Sequence, residues 1–118
     1  MARLVGRIWI KADGVLLRSK EGAQIDLGGP VRETVVGTHT VHGYHETIKP
    51  GRVECQVAVA QGDEPERLRD IDNATLTCEL DTGQTYIIRD AHVLEPPVIQ
   101  EGGGQVQLAF EGQPAERA

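Results

Sequence analysis

Three histidines stand at a spacing of three residues: His39, His42 and His45. Imidazole is a common zinc ligand, and on a helix this spacing would gather two of them on one face. The flanking Thr, Val and Gly residues favour a strand, where residues three apart face opposite sides. One metal then cannot take all three, and exposed polar ribbon positions are the expected role. Metal held across subunits is the weaker alternative. Carboxylates are plentiful but scattered, at Glu46, Glu54, Glu79, Asp81, Asp90 and Glu95. No two stand out as an acid and base couple. No Ser or Cys sits in a nucleophile elbow. Gly28-Gly29 and Gly102-Gly103-Gly104 lack the Lys-Ser/Thr or the strand–helix context of a phosphate loop. Cys55 and Cys78 fall on the apolar phase of predicted strands and read as small buried residues rather than a disulfide. These residues predict no enzyme, no cofactor and no metal.

The elements that carry these residues are mostly strands. Leu4 to Ile10 reads as a strand, followed by the hairpin signal Asp13-Gly14 and a return through Val15-Leu16-Leu17-Arg18. Ser19 to Pro30 reads as a Gly-rich loop, with Gly28-Gly29-Pro30 breaking regular structure. A long polar ribbon is expected next. It runs from Thr34 to Ile48, turns at Lys49-Pro50-Gly51 and returns from Arg52 to Ala60, with Pro50-Gly51 suited to a type II turn. On the return leg Val53, Cys55, Val57 and Val59 share one face, and Arg52, Glu54, Gln56 and Ala58 the other. Gly62 to Ile71 is the one predicted α-helix, capped by Asp63, with Leu68 and Ile71 packing on a sheet. Thr75 to Leu80 alternates, Asp81-Thr82-Gly83 makes a three-residue hairpin loop, and Gln84 to Arg89 returns, continuing through Ala91 to Leu94. Pro96-Pro97 interrupts pairing. Gln105 to Glu111 is the last strand, and residues 113–118 are expected to fray. Seven or eight strands with short turns close into a β-sandwich or half-barrel with one short helix.

Composition bounds the rest. The 118 residues suffice for one domain, residues 1–118. Core material is thin: 39% of residues are hydrophobic, and the aromatics are Trp9, Tyr44, Tyr86 and Phe110. Fourteen glycines favour tight turns over helix. Such a chain gains from burying more surface in an oligomer. The net charge of −6 argues against a clamp on DNA phosphates, though not against a passage that must not hold its cargo. No stretch resembles a signal peptide or reaches the ~20 apolar residues of a membrane helix, so a soluble product of a cytoplasm is expected.

The order of segments resembles a known family. Lys20-Glu21-Gly22-Ala23 follows the first hairpin, and Arg32-Glu33-Thr34-Val35-Val36-Gly37 leads to Val41-His42-Gly43-Tyr44. Lys49-Pro50 precedes Val53-Glu54-Cys55, and Thr75-Leu76-Thr77 leads to Asp81-Thr82-Gly83-Gln84-Thr85. In order and spacing along nearly the whole chain, these resemble the Mu-like tail tube family of long-tailed bacteriophages. The resemblance implies a structural subunit whose copies form hexameric rings, with sheets joined edge to edge into an inner β-barrel. The rings would stack into a conduit around a tape-measure protein and later pass DNA as transient cargo. It implies terminator, baseplate and sheath proteins as further partners, no membrane, and a place in the virion tail after assembly in the host cytoplasm. Alternation then makes Glu54, Gln56, Thr75, Thr77 and Glu79 candidate lumen positions. Val35, Gly37, Val41, Gly43 and Tyr44 are candidates for the subunit edge, and Lys20, Gln24, Asp26, Lys49 and Pro50 for contacts between stacked rings. Two rivals are a tube protein of a type VI or contractile-injection system and a monomeric β-barrel ligand-binding module, the latter disfavoured by the few aromatics.

Overall fold

A computed structural model describes residues 2–17, 19, 22–61, 65–102 and 104–118. Its strands are β1 (Ile8–Ala12), β2 (Val15–Leu16), β3 (Gln24–Asp26), β4 (Gly29–Val36), β5 (Val41–Lys49), β6 (Gly51–Ala58), β7 (Ala74–Leu80), β8 (Thr85–Val93), β9 (Val98–Gln100), β10 (Gln105–Gly112) and β11 (Glu116–Arg117). The body is antiparallel, in the order β2-β1-β7-β8-β10-β6-β3, with β11 on β8 and β9 on β10. Two leaves share β8. Most of β8 pairs with β7, while His92 and Val93 pair with β10. The change of leaf follows a bulge: Ala74 faces Ala91 but Leu76 faces Ile88, which puts one extra residue in β8, and Asp90 takes a left-handed φ of 53°. An inserted residue bends and twists a strand, which lets β8 serve both leaves.

Strict alternation builds the core between the leaves. Val53, Cys55 and Val57 of β6 are buried, as are Leu76 and Cys78 of β7, in the predicted phase. Ile10, Ala12, Ile88, Ala91, Val106, Leu108 and Phe110 complete the cluster. Burial pushes the Cys55 thiol up to about 11 and the Cys78 thiol up to about 12, which leaves both protonated and poor nucleophiles at neutral pH. The turns follow local chemistry. Asp13 and Gly14 both have positive φ, 49° and 84°, as a two-residue hairpin requires, and Gly83 is left-handed at 102°.

Several expectations need correction. The segment Gly62 to Ile71 contains a 3₁₀ helix, Pro65–Asp70, rather than an α-helix. So short a piece cannot repay α nucleation, and Leu68 and Ile71 hold it on the core instead; its predicted Asp63 cap lies outside the described residues. Residues 113–118 do not fray, since β11 pairs with Ile87 and Tyr86 of β8. The first strand begins at Ile8, not Leu4. The stretch 19–30 is not simply a loop, because β3 pairs there with β6 and β4 already begins at Gly29.

The long ribbon is real but folds elsewhere. Its turn lies at Gly37–Thr40, and β4 returns as β5. Pro50-Gly51 is not a turn. β6 instead pairs with β10 and β3. Asp26 faces Arg52, and Gly29 faces Lys49. The same register thus continues across a gap, so β3–β4 and β5–β6 form one ladder broken where residues 27–28 meet 50–51. Pro50 has no N–H to give to the ladder. Gly28, at φ 71°, leaves no room for a side chain: a Cβ would stand 2.7 Å from backbone atoms of Lys49, Pro50 and Gly51. The ribbon kinks there, and β4–β5 leaves the body as an arm of roughly 25–30 Å at the usual rise per residue. The molecule is accordingly elongated, at 63 × 39 × 27 Å.

Candidate assembly surfaces

The arm is a two-stranded ribbon whose strands pack chiefly on each other. A lone ribbon of this kind is marginal in water and offers two unpaired edges. Its polar pairs lie on the surface. Arg32 Nε donates to Glu46 Oε1 at 2.9 Å while its guanidinium stands 5.9 Å from the Tyr44 ring centre, and His45 Nε2 lies 3.2 Å from Glu33 Oε2. Exposed pairs like these contribute little. The arm also carries bare apolar side chains: Val31, Val35, Val36, Val41, Tyr44 and Ile48 are all exposed, Tyr44 at 62% and Ile48 at 79%.

All five candidate edge residues gather in the outer half of this arm. Val35 faces Gly43, Val36 faces Val41, Thr34 faces Tyr44, and Gly37 N–H donates to Thr40 O at 2.8 Å. A bulge sets His42 and Gly43 against Val35, and the His42 ring packs over Gly37, where a Cβ would collide with it. The histidines do not converge. His39 sits in the turn, His42 on Gly37 and His45 on Glu33. Among the described residues no three His, Cys, Asp or Glu side chains are grouped to hold a metal.

The candidate lumen residues separate into two sets. All five lie on the half-exposed phase opposite the core. Glu54 and Gln56 share a face with Gln24, Gln107 and Ala109 on the leaf of β3, β6 and β10. There Arg52 links Glu54, at 2.8 Å from Nε, to Glu111, at 3.1 Å. Thr75, Thr77 and Glu79 share a face with Trp9, Lys11 and Ile87 on the other leaf, where Lys11 Nζ reaches Glu79 at 3.1 Å. Because the core lies between the leaves, these two polar faces look in different directions. Alternation gives a residue's phase within its strand but not the leaf the strand joins.

The candidate stacking residues Asp26, Lys49 and Pro50 meet at the kink, and Gln24 lies beside them on β3; Lys20 lies outside the described residues. Asp26 forms an ion pair with Lys49 across the kink and accepts the Gly28 N–H at 3.0 Å. These two contacts, the Lys49 bond first, hold its carboxyl below the usual aspartate value.

Asp81 was not legible as a structural anchor. Its side chain, 7% exposed, accepts the Gly6 N–H at 3.1 Å and faces Arg3 at 3.5 Å, while its own N–H donates to Arg7 O at 3.1 Å. Backbone N–H groups donating to its carboxyl, that of Gly6 first and then that of Arg7, lower its pKa below 3.8. A carboxyl depressed in the folded state contributes stability that is complete above the unfolded value and fades as pH falls through the folded one. Asp81→Asn is therefore expected to lower Tm at pH 7. Its deficit against the parent should close on acidification below pH 3.8; thermal melts from pH 7 to pH 2 test this. The segment so anchored borders an open groove of about 670 Å³, lined among the described residues by Val5, Arg7, Ile8, Trp9, Leu16, Leu17, Ser19 and Ala23.

Comparison with known proteins supplies the family. The profile of the phage tail tube protein matches residues 1–117. The chain is 28% identical over 112 residues to the tail tube protein of Escherichia phage Mu, covering 95% of this chain and 92% of that one. It is 32% identical over 98 residues to the Mu-like prophage FluMu tail tube protein of Haemophilus influenzae, covering 83% and 82%. In fold it is similar to the sheath/tube terminator of an extracellular contractile injection system (TM-score 0.70, 8% identity, 100% of this chain and 97% of that one). It is also similar to the tube-terminating cap of the anti-feeding prophage (TM-score 0.71, 6% identity, 100% and 93%). With a profile spanning nearly every residue and two relatives aligned along most of its length, this chain belongs to the phage tail tube protein family, of the Mu-like kind, and is a structural tail-tube subunit.

Proposed function

We propose that copies of this chain join side by side into hexameric rings, and that the rings stack into the conduit of a phage tail. The observation that carries this reading is the arm. It bares Val35, Val36, Val41 and Tyr44 at its outer end on a ribbon with two open edges, and a neighbouring copy would cover both. An arm that meets a different patch on the next copy makes a head-to-tail contact, which closes into a ring if the rotation allows. One of the two polar faces lines the passage, and the other faces what surrounds the tube. Asp26, Lys49 and Pro50, at the arm's root, stand where one ring meets the next. The tube assembles in the host cytoplasm around a tape-measure protein and is finished by terminator and baseplate proteins, with sheath protein outside it if the tail contracts. A net charge of −6 suits a wall that lets DNA slip past. The relatives in phage Mu and the Mu-like prophage favour a phage tail over an injection system.

Negative-stain microscopy of the purified chain at rising concentration tests the assembly. Rings or tubes about the width of a phage tail are the expected result. A compact monomer at every concentration, and still monomeric when mixed with preformed tail tips, would overturn it.

A further inference from the structure

The kink that sends the arm away from the body leaves backbone groups without ladder partners, and buried backbone groups must find others. The carbonyl of Leu27 finds one in the C-terminal segment: Ala115 N–H donates to it at 2.7 Å. On the facing leg Gly51 is buried, and a Cβ there would stand 2.7 Å from Gln113 O and 3.4 Å from Ala115 N. Residues 113–115 are thus wedged against both legs of the ribbon where its own pairing fails. The wedge is tied to the body beyond the kink. Gln113 N–H donates to Arg89 O at 2.9 Å, β11 pairs with Ile87 and Tyr86, and Ala118 N–H donates to Thr85 O at 2.9 Å. Every one of these ties runs to β8, the strand shared by the two leaves.

We propose that the C-terminal segment Gln113–Ala118 is a strap that sets the direction of the arm. While β11 stays on β8, the wedge holds the kink and the arm keeps one angle. When β11 leaves, Leu27 loses its partner, the space beside Gly51 opens, and the arm swings about Gly28 and Pro50. The Asp26–Lys49 pair spans the kink as a second, weaker brace, since both side chains are partly exposed. The strap's ties are mostly backbone hydrogen bonds at a sheet edge, so a partner that pairs with β8 in place of β11 would release the arm. The coupling of strap to arm is a property of the single chain. Its consequence for assembly rests on the reading that the arm meets neighbouring copies.

The test measures the arm before assembly. Spin labels are placed on Thr38→Cys at the arm tip and Arg69→Cys on the body; Cys55 and Cys78 are buried and stay unlabelled. The parent is expected to give one narrow distance distribution. Ala115→Pro removes the N–H given to Leu27 and should broaden that distribution and speed amide exchange in residues 29–36 and 41–49 about tenfold, with β7 and β10 still protected. Ala115→Gly keeps the N–H and should restore the narrow distribution. Truncation after Gly112 should broaden it further; if truncation unfolds the body, the Ala115 pair decides. An unchanged narrow distribution in Ala115→Pro, or equal broadening in Ala115→Gly, overturns the strap. Broadening with undiminished tube formation supports the strap and instead removes the arm from the proposed interface, so the two ideas fail separately.

Discussion

A chain carrying Val41→Asp is expected to melt like the parent and to form no tubes at the concentration where the parent assembles. Val41 is 62% exposed at the end of the arm and packs on none of the core strands. An aspartate there stays hydrated in the single chain, so the folding cost should stay within ~0.5 kcal/mol, as for other surface substitutions. On the proposed arm contact a neighbouring copy would cover this position, and burying an unpaired carboxylate is strongly unfavourable. Each subunit repeats the penalty in every ring, so the concentration needed for assembly should rise at least ~10-fold, the factor that about 1.4 kcal/mol per contact produces. Sedimentation of polymer, read beside circular dichroism of the soluble chain, separates the two effects. Equal loss of folding and assembly would place Val41 in the body's stability. Normal tubes would move the interface off the arm.

The features legible in the sequence are local. The alternation at Val53, Cys55 and Val57, and at Leu76 and Cys78, gives the buried face because a strand has a period of two whatever it pairs with. Asp13-Gly14 and Asp81-Thr82-Gly83 announce their turns through residues that tolerate left-handed backbone. The family resemblance added the expectation of assembly, and the candidate edge residues lie on one outlying ribbon.

The misreadings concern pairing across the chain. Pro50-Gly51 suits a turn and a kink equally well, because both need a residue without N–H followed by one without a side chain. The choice is made by β3, whose three residues pair with Arg52, Val53 and Glu54 and so prevent β5 from folding back on β6. Glu116-Arg117 shows no apolar alternation, and backbone bonds to β8 alone make it a strand. The hold of Asp81 on Gly6 joins residues 75 positions apart. Where the turn at Gly37–Thr40 is concerned, a signal was present: Val35-Val36 and Val41 flank four small or polar residues. The clean alternation of the next leg outweighed it.

The largest loss of folding stability is expected from Phe110→Ala. Phe110 is fully buried on β10, opposite Val53 of β6 on one side and Val93 of β8 on the other. It stands where β8 passes from one leaf to the other, so its ring fills the junction of both. Beside it Gly112 is closed in as well, since a Cβ there would lie 2.7 Å from Arg89 O, and the surrounding backbone has little freedom to collapse into a void. Truncation of a buried Phe in such a setting costs ~3–5 kcal/mol. For a chain of this length that corresponds to a fall in Tm of roughly 10–20 °C. Against a total stability of about 5–15 kcal/mol, many molecules would be unfolded near the growth temperature. In contrast to Val41→Asp, the variant should still polymerise in the cold. Its arm is intact, and assembly draws on the folded fraction and thereby raises it by mass action. The expected pattern is a low Tm for free chain, a higher one for tubes, and normal tube morphology at low temperature. A Tm within ~3 °C of the parent would mean that Phe110 does not join the leaves, because a void of that size could not be so cheaply repaired.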